Sequence, residues 1–242
     1  MPSPFSSINW LFANRRVWSV WHDGLVALTR HSFETALRNV LPDDLPHRER
    51  LISIGSKHLV LVVEANKVMN LTRILDAQEA AIKHVLDAVL PWRFFQGFRS
   101  VMDAGTGPGL PGIPLAIVLP EVEFTLCESV QKKARFVDET VQELELANVT
   151  VMPVRAESAL LHRHVTGVTA RAVAPLARLT ETFGASLKNG IPMLLYKGPD
   201  VAVEISAAAA MLQRNRLQAT VLDRYELPQN MGTRTFIELK KR

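Results

Sequence analysis

The residues that most restrict what this chain can become are the ten from Asp103 to Gly112, read as DAGTGPGLPG. They follow a short apolar run, Ser100 to Met102, and lead into a helical stretch, so the local order is strand, glycine-rich turn, helix. At such a junction, free backbone N–H groups and the start of the helix can hold an anionic ligand. Glycines after a strand can also be plain turn residues. Here one acid, Asp103, precedes them and a second, Glu128, closes the next strand, and that combination reads as a binding loop. Pro108, Pro111 and Pro114 stiffen the loop and start the helix.

The remaining sequence supplies the α/β fold that such a loop requires. From Ser100 onward, short apolar runs alternate with helical stretches, the pattern of a parallel sheet flanked by helices. Strands are expected at Ser100 to Met102, Phe124 to Cys127, Thr150 to Val154, Gly167 to Ala170 and Ile191 to Tyr196. A helix from about Gln131 turns Ala134, Val137, Val141 and Leu144 inward. Two later runs, Ala219 to Leu227 and Thr235 to Leu239, flank a turn-rich Pro228 to Gly232 segment and predict an antiparallel hairpin. Upstream, from about Glu34 to Leu90, the period is helical, with Leu51, Ile54, His58, Val62 and Ala65 on one face. Within that stripe His58 reads as a hydrogen-bonded core histidine. The expected organisation is an extension over 1–33, a helical portion over 34–98 and a ligand-binding domain over 99–242.

A chain of 242 residues needs no disulfide to hold a core, and its single cysteine, Cys127, fits a reducing, cytoplasmic compartment. No metal-ligand spacing is present, so no catalytic metal is expected. The longest uncharged run, Ala104 to Pro120, carries four glycines and four prolines and is unsuited to crossing a membrane. Arg15, Arg16 and Arg30, with Trp10, Trp18 and Trp21, give the N-terminus a weak transit-peptide character, but no cleavage signal follows. The triplets at Asn70 and Asn148 match glycosylation acceptors and carry no weight without a secretory signal. A formal net charge of +4 permits a nucleic-acid partner without demanding one.

The charges around the loop bear on its ligand. Gly107-x-Gly109-x-x-Gly112 satisfies the dinucleotide fingerprint, so a nucleotide-dependent oxidoreductase with Glu128 on the ribose is one reading. The other ligand is S-adenosylmethionine, whose methionine half presents an ammonium and a carboxylate in place of a pyrophosphate. Asp103 suits the ammonium, directly or through water, and would repel a pyrophosphate, so it tilts the reading toward S-adenosylmethionine. Glu128 can accept from both ribose hydroxyls of either cofactor. Cys127 reads as a small strand residue beside the adenine and not as a nucleophile.

Asp103 to Pro114, DAGTGPGLPGIP, resembles the signature of the bacterial small-subunit (16S) ribosomal RNA guanine-N7 methyltransferases, the glucose-inhibited division protein B family. The resemblance extends to Asn70-Leu-Thr72, His84-x-x-Asp87, Lys132-Lys-x-Arg135-Phe136, Arg171-Ala172-x-Ala174 and Lys197-Gly198. It implies a class I S-adenosylmethionine-dependent methyltransferase fold: Rossmann-like, with a mostly parallel sheet, an antiparallel C-terminal strand and a small N-terminal helical portion. It also implies methylation of a guanine N7 in the RNA of the small subunit. By the same resemblance Gly105 and Leu110 lie in the cofactor loop, where Gly107 joins them. Ala156 and Glu157 border the adenine, Glu128 holds the ribose, and Arg171 approaches the cofactor near the substrate entrance. The sequence departs from the family pattern in its extension before Glu34 and in Ala88, where a serine commonly follows the His-x-x-Asp motif.

Guanine N7 carries an in-plane lone pair and no proton, so its methylation needs no general base and the protein contributes chiefly by positioning. Arg171 is the candidate catalytic residue in that sense; its plainer reading is a surface salt bridge. No Asn/Asp-Pro-Pro-aromatic motif follows the fourth strand, which argues against an adenine-N6 enzyme. His84 and Asp87, three apart on one helical face, are expected to share a local hydrogen bond. Lys132, Lys133, Arg135 and Lys197 are the expected RNA contacts, with Arg155, Arg163 and Arg178 near strand ends. The expected partner is small-subunit ribosomal RNA or a ribosomal particle, bound by a monomer with no membrane attachment. An inactive cofactor-binding RNA module is a further reading, motivated by Ala88 and the extension.

Overall fold

The computed structural model describes residues 28–74 and 76–242, so most of the extension expected over 1–33, with its tryptophans, lies outside the described residues. Helix α1 (Arg30–Val40) starts at Thr29, whose hydroxyl accepts from the Ser32 amide while Ser32 bonds back to Thr29, a reciprocal cap. Its face of Phe33, Ala36 and Leu37 packs on α2 (Arg48–Met69). Helix α3 begins at an Asp76 cap as Ala77–Ala80, widens into a π-helical turn over Ala81–Leu86 and ends as Asp87–Val89. One apolar cluster runs from Phe33 and Leu37 through Ile82 and Val85 to Ile113, Phe124 and Phe236, so the helices and the sheet share a core.

The sheet contains β1 (Ser100–Ala104), β2 (Glu123–Cys127), β3 (Val149–Met152), β4 (Gly167–Arg171), β5 (Met193–Lys197), β6 (Leu217–Glu226) and β7 (Thr233–Lys241). Its order is β3-β2-β1-β4-β5-β7-β6. The first five strands are parallel, β7 runs antiparallel to β5, and β6 pairs with β7 as the expected hairpin. Strand boundaries depart from the sequence reading where the backbone finds other partners. Asp103 and Ala104 extend β1 by pairing with Leu126 and Cys127. At β3 the Val154 amide turns back to the Met152 carbonyl, which ends the strand two residues early. Pro192 has no N–H to give a ladder, and β5 starts after it.

Alternating with the strands are α4 (Gly112–Val118), α5 (Gln131–Glu143), the short α6 (Ala156–Ala159), α7 (Leu176–Lys188) and α8 (Val201–Arg214). Successive strands after β1 move outward through β2 to β3, and the chain then crosses back to place β4 on the other side of β1. Ligands of open α/β sheets bind outside the carboxyl ends of the strands at such a reversal. The glycine loop between β1 and α4 lies there.

Helix α4 is buried along its whole length and its last carbonyls have no water to turn to. The Asn148 side-chain amide donates at this end of the helix, at 3.1 Å from the Ala116 carbonyl and 3.3 Å from that of the cap residue Leu119, and also at 3.0 Å from the Val122 carbonyl in the turn that follows. The Leu119 carbonyl also accepts from the Val122 amide, so removing the Asn148 group takes this donor chiefly from the Ala116 and Val122 carbonyls. Asn148→Ala is expected to lower the unfolding free energy by about 1–3 kcal/mol. Urea denaturation checks this; an unchanged midpoint would mean that the carbonyls find other donors.

Candidate active site

The loop from Asp103 to Gly112 is held by its own backbone. The amides of Gly105 and Thr106 both donate to the Cys127 carbonyl at 3.0 Å, and those of Gly109 and Leu110 donate to the Thr106 carbonyl. Asp103 Oδ2 accepts from the Thr106 hydroxyl at 2.6 Å and from the Gly112 amide at 2.9 Å. Most of the backbone N–H groups expected to be free for an anionic ligand are thus engaged, on the Cys127 and Thr106 carbonyls and on Asp103, which caps the head of α4. A pyrophosphate placed here would meet a buried carboxylate and few donors, which removes the main support for the dinucleotide reading. Gly112 is required by space, because a Cβ would strike the Leu126 side chain and sit 2.8 Å from Asp103 Oδ2. Gly107, at φ +59°, has open space where a Cβ would stand.

Below the loop, His58 Nε2 donates to the Pro108 carbonyl at 2.8 Å, as expected of a bonded core histidine. Burial lowers its pKa to about 4, so the ring is neutral, and its Nδ1 is buried without a partner among the described residues. His84 is likewise held neutral: burial, with the Arg171 charge adding to it, lowers its pKa to about 3. The expected His84–Asp87 bond is not formed. His84 Nε2 lies 3.0 Å from Thr72 Oγ1, which also accepts from the Ile74 amide, while Asp87 faces the strands. The π turn between the two residues accounts for the difference, because it breaks the spacing that would stack positions three apart.

Asp103 is fully buried, and burial raises its pKa to about 6 against the pull of its bonds from Thr106 and Gly112. Its Oδ1 has no partner among the described residues. An orphaned carboxylate oxygen at the head of this loop fits the ammonium of an S-adenosylmethionine better than any anion. Glu128 follows β2 with its carboxylate mostly buried; Oε1 accepts from the Val130 amide at 2.8 Å, which fixes the side chain. Burial also pushes the Cys127 thiol up to about 12, so it is no nucleophile. Ala156 is buried and Glu157 half-buried at the start of α6, on the β3 side of the loop. On α5, Lys132 and Arg135 are exposed and Lys133 is half-buried.

Across the sheet, at the ends of β4, β5 and β7, lies a cavity of about 540 Å³. Its floor holds an ionic cluster that the sequence did not reveal. Asp87, 3% exposed in its side chain, presents Oδ2 to Arg171 Nη1 at 3.3 Å and to Arg234 Nε at 3.2 Å. Arg171 Nη1 also donates to the Lys83 carbonyl at 3.1 Å. Arg171 is thus neither a surface residue nor free of partners. Lys197 is corrected as an RNA contact: its side chain is 8% exposed, and its ammonium is taken by Glu204 at 2.7 Å and the Ala174 carbonyl at 3.0 Å. Glu204 also accepts from the Leu176 amide, so this pair secures the 172–175 loop. Within that loop Ala172 adopts φ +55°, unfavourable for a residue with a Cβ, and Val173 reaches over Gly105. No sequence signal marked Arg234, Glu204 or Thr106 for these tasks.

Among the described residues, no helix is long and apolar enough to cross a membrane, and no group of His, Cys, Asp and Glu side chains could hold a metal ion. Among solved structures, the fold is similar to an O-methyltransferase from Bacillus cereus in complex with SAH, with a TM-score of 0.54 at 17% identity, over 86% of this chain and 96% of that one. A class I methyltransferase architecture is therefore shown, as the sequence implied. A ribosomal RNA small subunit methyltransferase G of Solibacter usitatus is 51% identical over 209 residues, 86% of this chain and all of the relative. Its counterpart from Xylella fastidiosa (strain M23) is 39% identical over 188 residues, 76% of this chain and 84% of the relative. The family model described as rRNA small subunit methyltransferase G matches residues 53–230. Since that match covers most of the chain and the relatives extend it, the chain belongs to the rRNA small subunit methyltransferase G family, the one its glycine loop resembles.

Proposed function

We propose that this protein transfers a methyl group from S-adenosylmethionine to N7 of a guanine in small-subunit (16S) ribosomal RNA, acting as a cytoplasmic monomer on the RNA or a ribosomal particle. The observation that carries the reading is the orphaned, buried carboxylate of Asp103 at the head of the glycine loop, in a chain of this family. Bound S-adenosylmethionine supplies an electrophilic methyl on a sulfonium centre. Asp103 would hold the ammonium, Glu128 the ribose hydroxyls, and Ala156 with Glu157 the adenine edge, while Gly105, Gly107 and Leu110 shape the loop. Arg171 positions the acceptor, held in place by Asp87 and Lys83. Guanine N7 has no proton to lose, which agrees with a site whose two buried histidines are neutral and bonded to the scaffold. Lys132, Lys133 and Arg135 would meet phosphates along the rim. The deciding experiment transfers labelled methyl to small-subunit RNA or particles lacking the modification, with N7-methylguanine mapped by chain cleavage. One labelled guanine is expected; cofactor binding with no labelled RNA would overturn the substrate.

Arg171→Ala removes a positioning group but leaves Asp87 its bond to Arg234. Methyl transfer should fall by on the order of 100-fold, with a much smaller loss of thermal stability in the same preparation. Equal activity in the variant would remove Arg171 from the site.

A pH dependence follows from Asp103. A carboxylate whose folded pKa is raised stabilises the free protein in its protonated form, and that contribution is lost as pH rises through about 6. A cationic ammonium needs the ionised form, so cofactor affinity should strengthen with pH from 5 to 7, by up to about tenfold per unit below the pKa. His58 and His84 titrate lower and leave this window clear. Calorimetry across the range measures it; the rise should vanish in Asp103→Asn, and a flat wild-type profile would show that Asp103 does not face the ammonium.

A further inference from the structure

We infer that the cavity at the ends of β4, β5 and β7 receives one everted nucleotide of the RNA, and that Arg234 binds its phosphate. The inference rests on the function proposed above and adds a subsite and a residue. An enzyme acting on a base inside folded RNA must bring that base out of its stack and into a pocket. At about 540 Å³ the cavity lies within the roughly 300–1,000 Å³ of sites for ligands of nucleotide size. Val173, Pro175 and Leu179 on its wall offer apolar surface for the faces of a base.

Charge selects the rest. The cavity is lined by three cations, Arg171, Arg234 and Lys197, and two carboxylates, Asp87 and Glu204. Lys197 and Glu204 neutralise each other at 2.7 Å. Asp87 offers a single oxygen to both arginines, so one positive charge of the pair is left over, matching the single negative charge of a phosphodiester. The two arginines are not equivalent. Arg171 is the more enclosed, with its side chain 14% exposed and tied to the Lys83 carbonyl as well. Arg234 is 26% exposed, and among the described residues its one further bond beyond Asp87 is at 3.3 Å to the carbonyl of its neighbour Thr233. Asp87 therefore aims the Arg234 guanidinium while leaving N–H groups to take a phosphate, a contact that sets register and carries no base identity.

The test measures RNA affinity, cofactor affinity and turnover for Arg234→Gln and Arg234→Lys. The glutamine variant should raise KM for RNA about tenfold, with kcat at saturating RNA and cofactor Kd within about threefold of wild type. Its slope of log K against log salt should be shallower by about 0.7–0.9, the loss of one phosphate contact. The lysine variant keeps the charge and should recover most of the affinity and the slope. In wild-type protein, guanosine 5′-monophosphate should compete with RNA at least fivefold better than guanosine, an expectation that no folding defect can disturb. Unchanged RNA affinity and salt slope in Arg234→Gln, a parallel fall in cofactor affinity, or equal competition by nucleoside and nucleotide would each overturn the inference. If wild-type protein methylates RNA and the glutamine variant matches it, only the role of Arg234 fails. If wild-type protein binds cofactor and methylates no RNA, the function itself fails.

Discussion

One buried carboxylate joins the helical portion to the catalytic end of the sheet. Asp87 ends the π turn of α3 and holds guanidinium groups from β4 and β7 on a single oxygen. The same short segment receives the Tyr196 hydroxyl of β5 on the Ala88 carbonyl at 2.6 Å, and the Tyr225 hydroxyl of β6 approaches the Asp87 carbonyl at 3.5 Å. Four strand ends thus converge on residues 83–88. Removing a partner from a buried ion pair costs about 3–5 kcal/mol because a desolvated charge is left behind. With two arginines on one carboxylate, either can be engaged elsewhere while the acid keeps a counter-charge. That arrangement suits a site in which a cation must both stay in place and meet an anion.

The second constraint is the self-sufficiency of the glycine loop. Asp103 satisfies Thr106 and Gly112 with one oxygen, Cys127 holds two amides with its carbonyl, and His58 supports Pro108 from below. The loop therefore keeps its shape through the backbone and needs no bound group to order it. What it leaves unpaired is a buried carboxylate oxygen of Asp103 and not a row of donors, in contrast to the donor-rich nest that phosphate requires. Its discrimination between an ammonium-bearing ligand and a pyrophosphate resides in which atoms the loop leaves unpaired. The fingerprint spacing, shared by both kinds of site, does not contain that information.

Much of this was legible in the sequence, and the gaps have physical causes. The alternation of apolar runs with helical periods located the five parallel strands, because strands of a covered parallel sheet must be apolar on both faces, and the turn-rich Pro228 to Gly232 segment located the antiparallel hairpin of β6 and β7. Strand ends were less legible: Pro192 and the turn at Val154 are local hydrogen-bond decisions. His58 was recognisable as a core residue since its stripe was otherwise apolar. The partners of His84, Asp87 and Lys197 were not, for two reasons. A π turn changes the face on which a residue emerges, and the partners, Thr72, Arg234 and Glu204, come from elements whose proximity depends on the sheet order. Arg234 stands in a strand of mixed polarity, where nothing local separates it from a solvated charge.

The two halves of the site differ in how firmly they are built. On the β1–β2 side the groups are backbone-anchored, and burial raises the Asp103 carboxyl to about 6, which on the proposed function would make cofactor capture sensitive to mildly acidic conditions. On the β4–β5 side geometry depends on side-chain ion pairs spanning α3, β4, β5, α8 and β7, with Ala172 forced into a left-handed conformation to bring Val173 over Gly105. The contact between Val173 and Gly105 is where the halves meet. A strained residue is retained only where surrounding bonds over-determine it, and here the Lys197–Glu204 pair and the Leu176 amide provide that restraint. The strain at Ala172 therefore has a structural outcome: Val173, on the wall of the cavity at the ends of β4, β5 and β7, also covers the glycine loop, so that on the proposed function the positioning of one reactant would bear on the other.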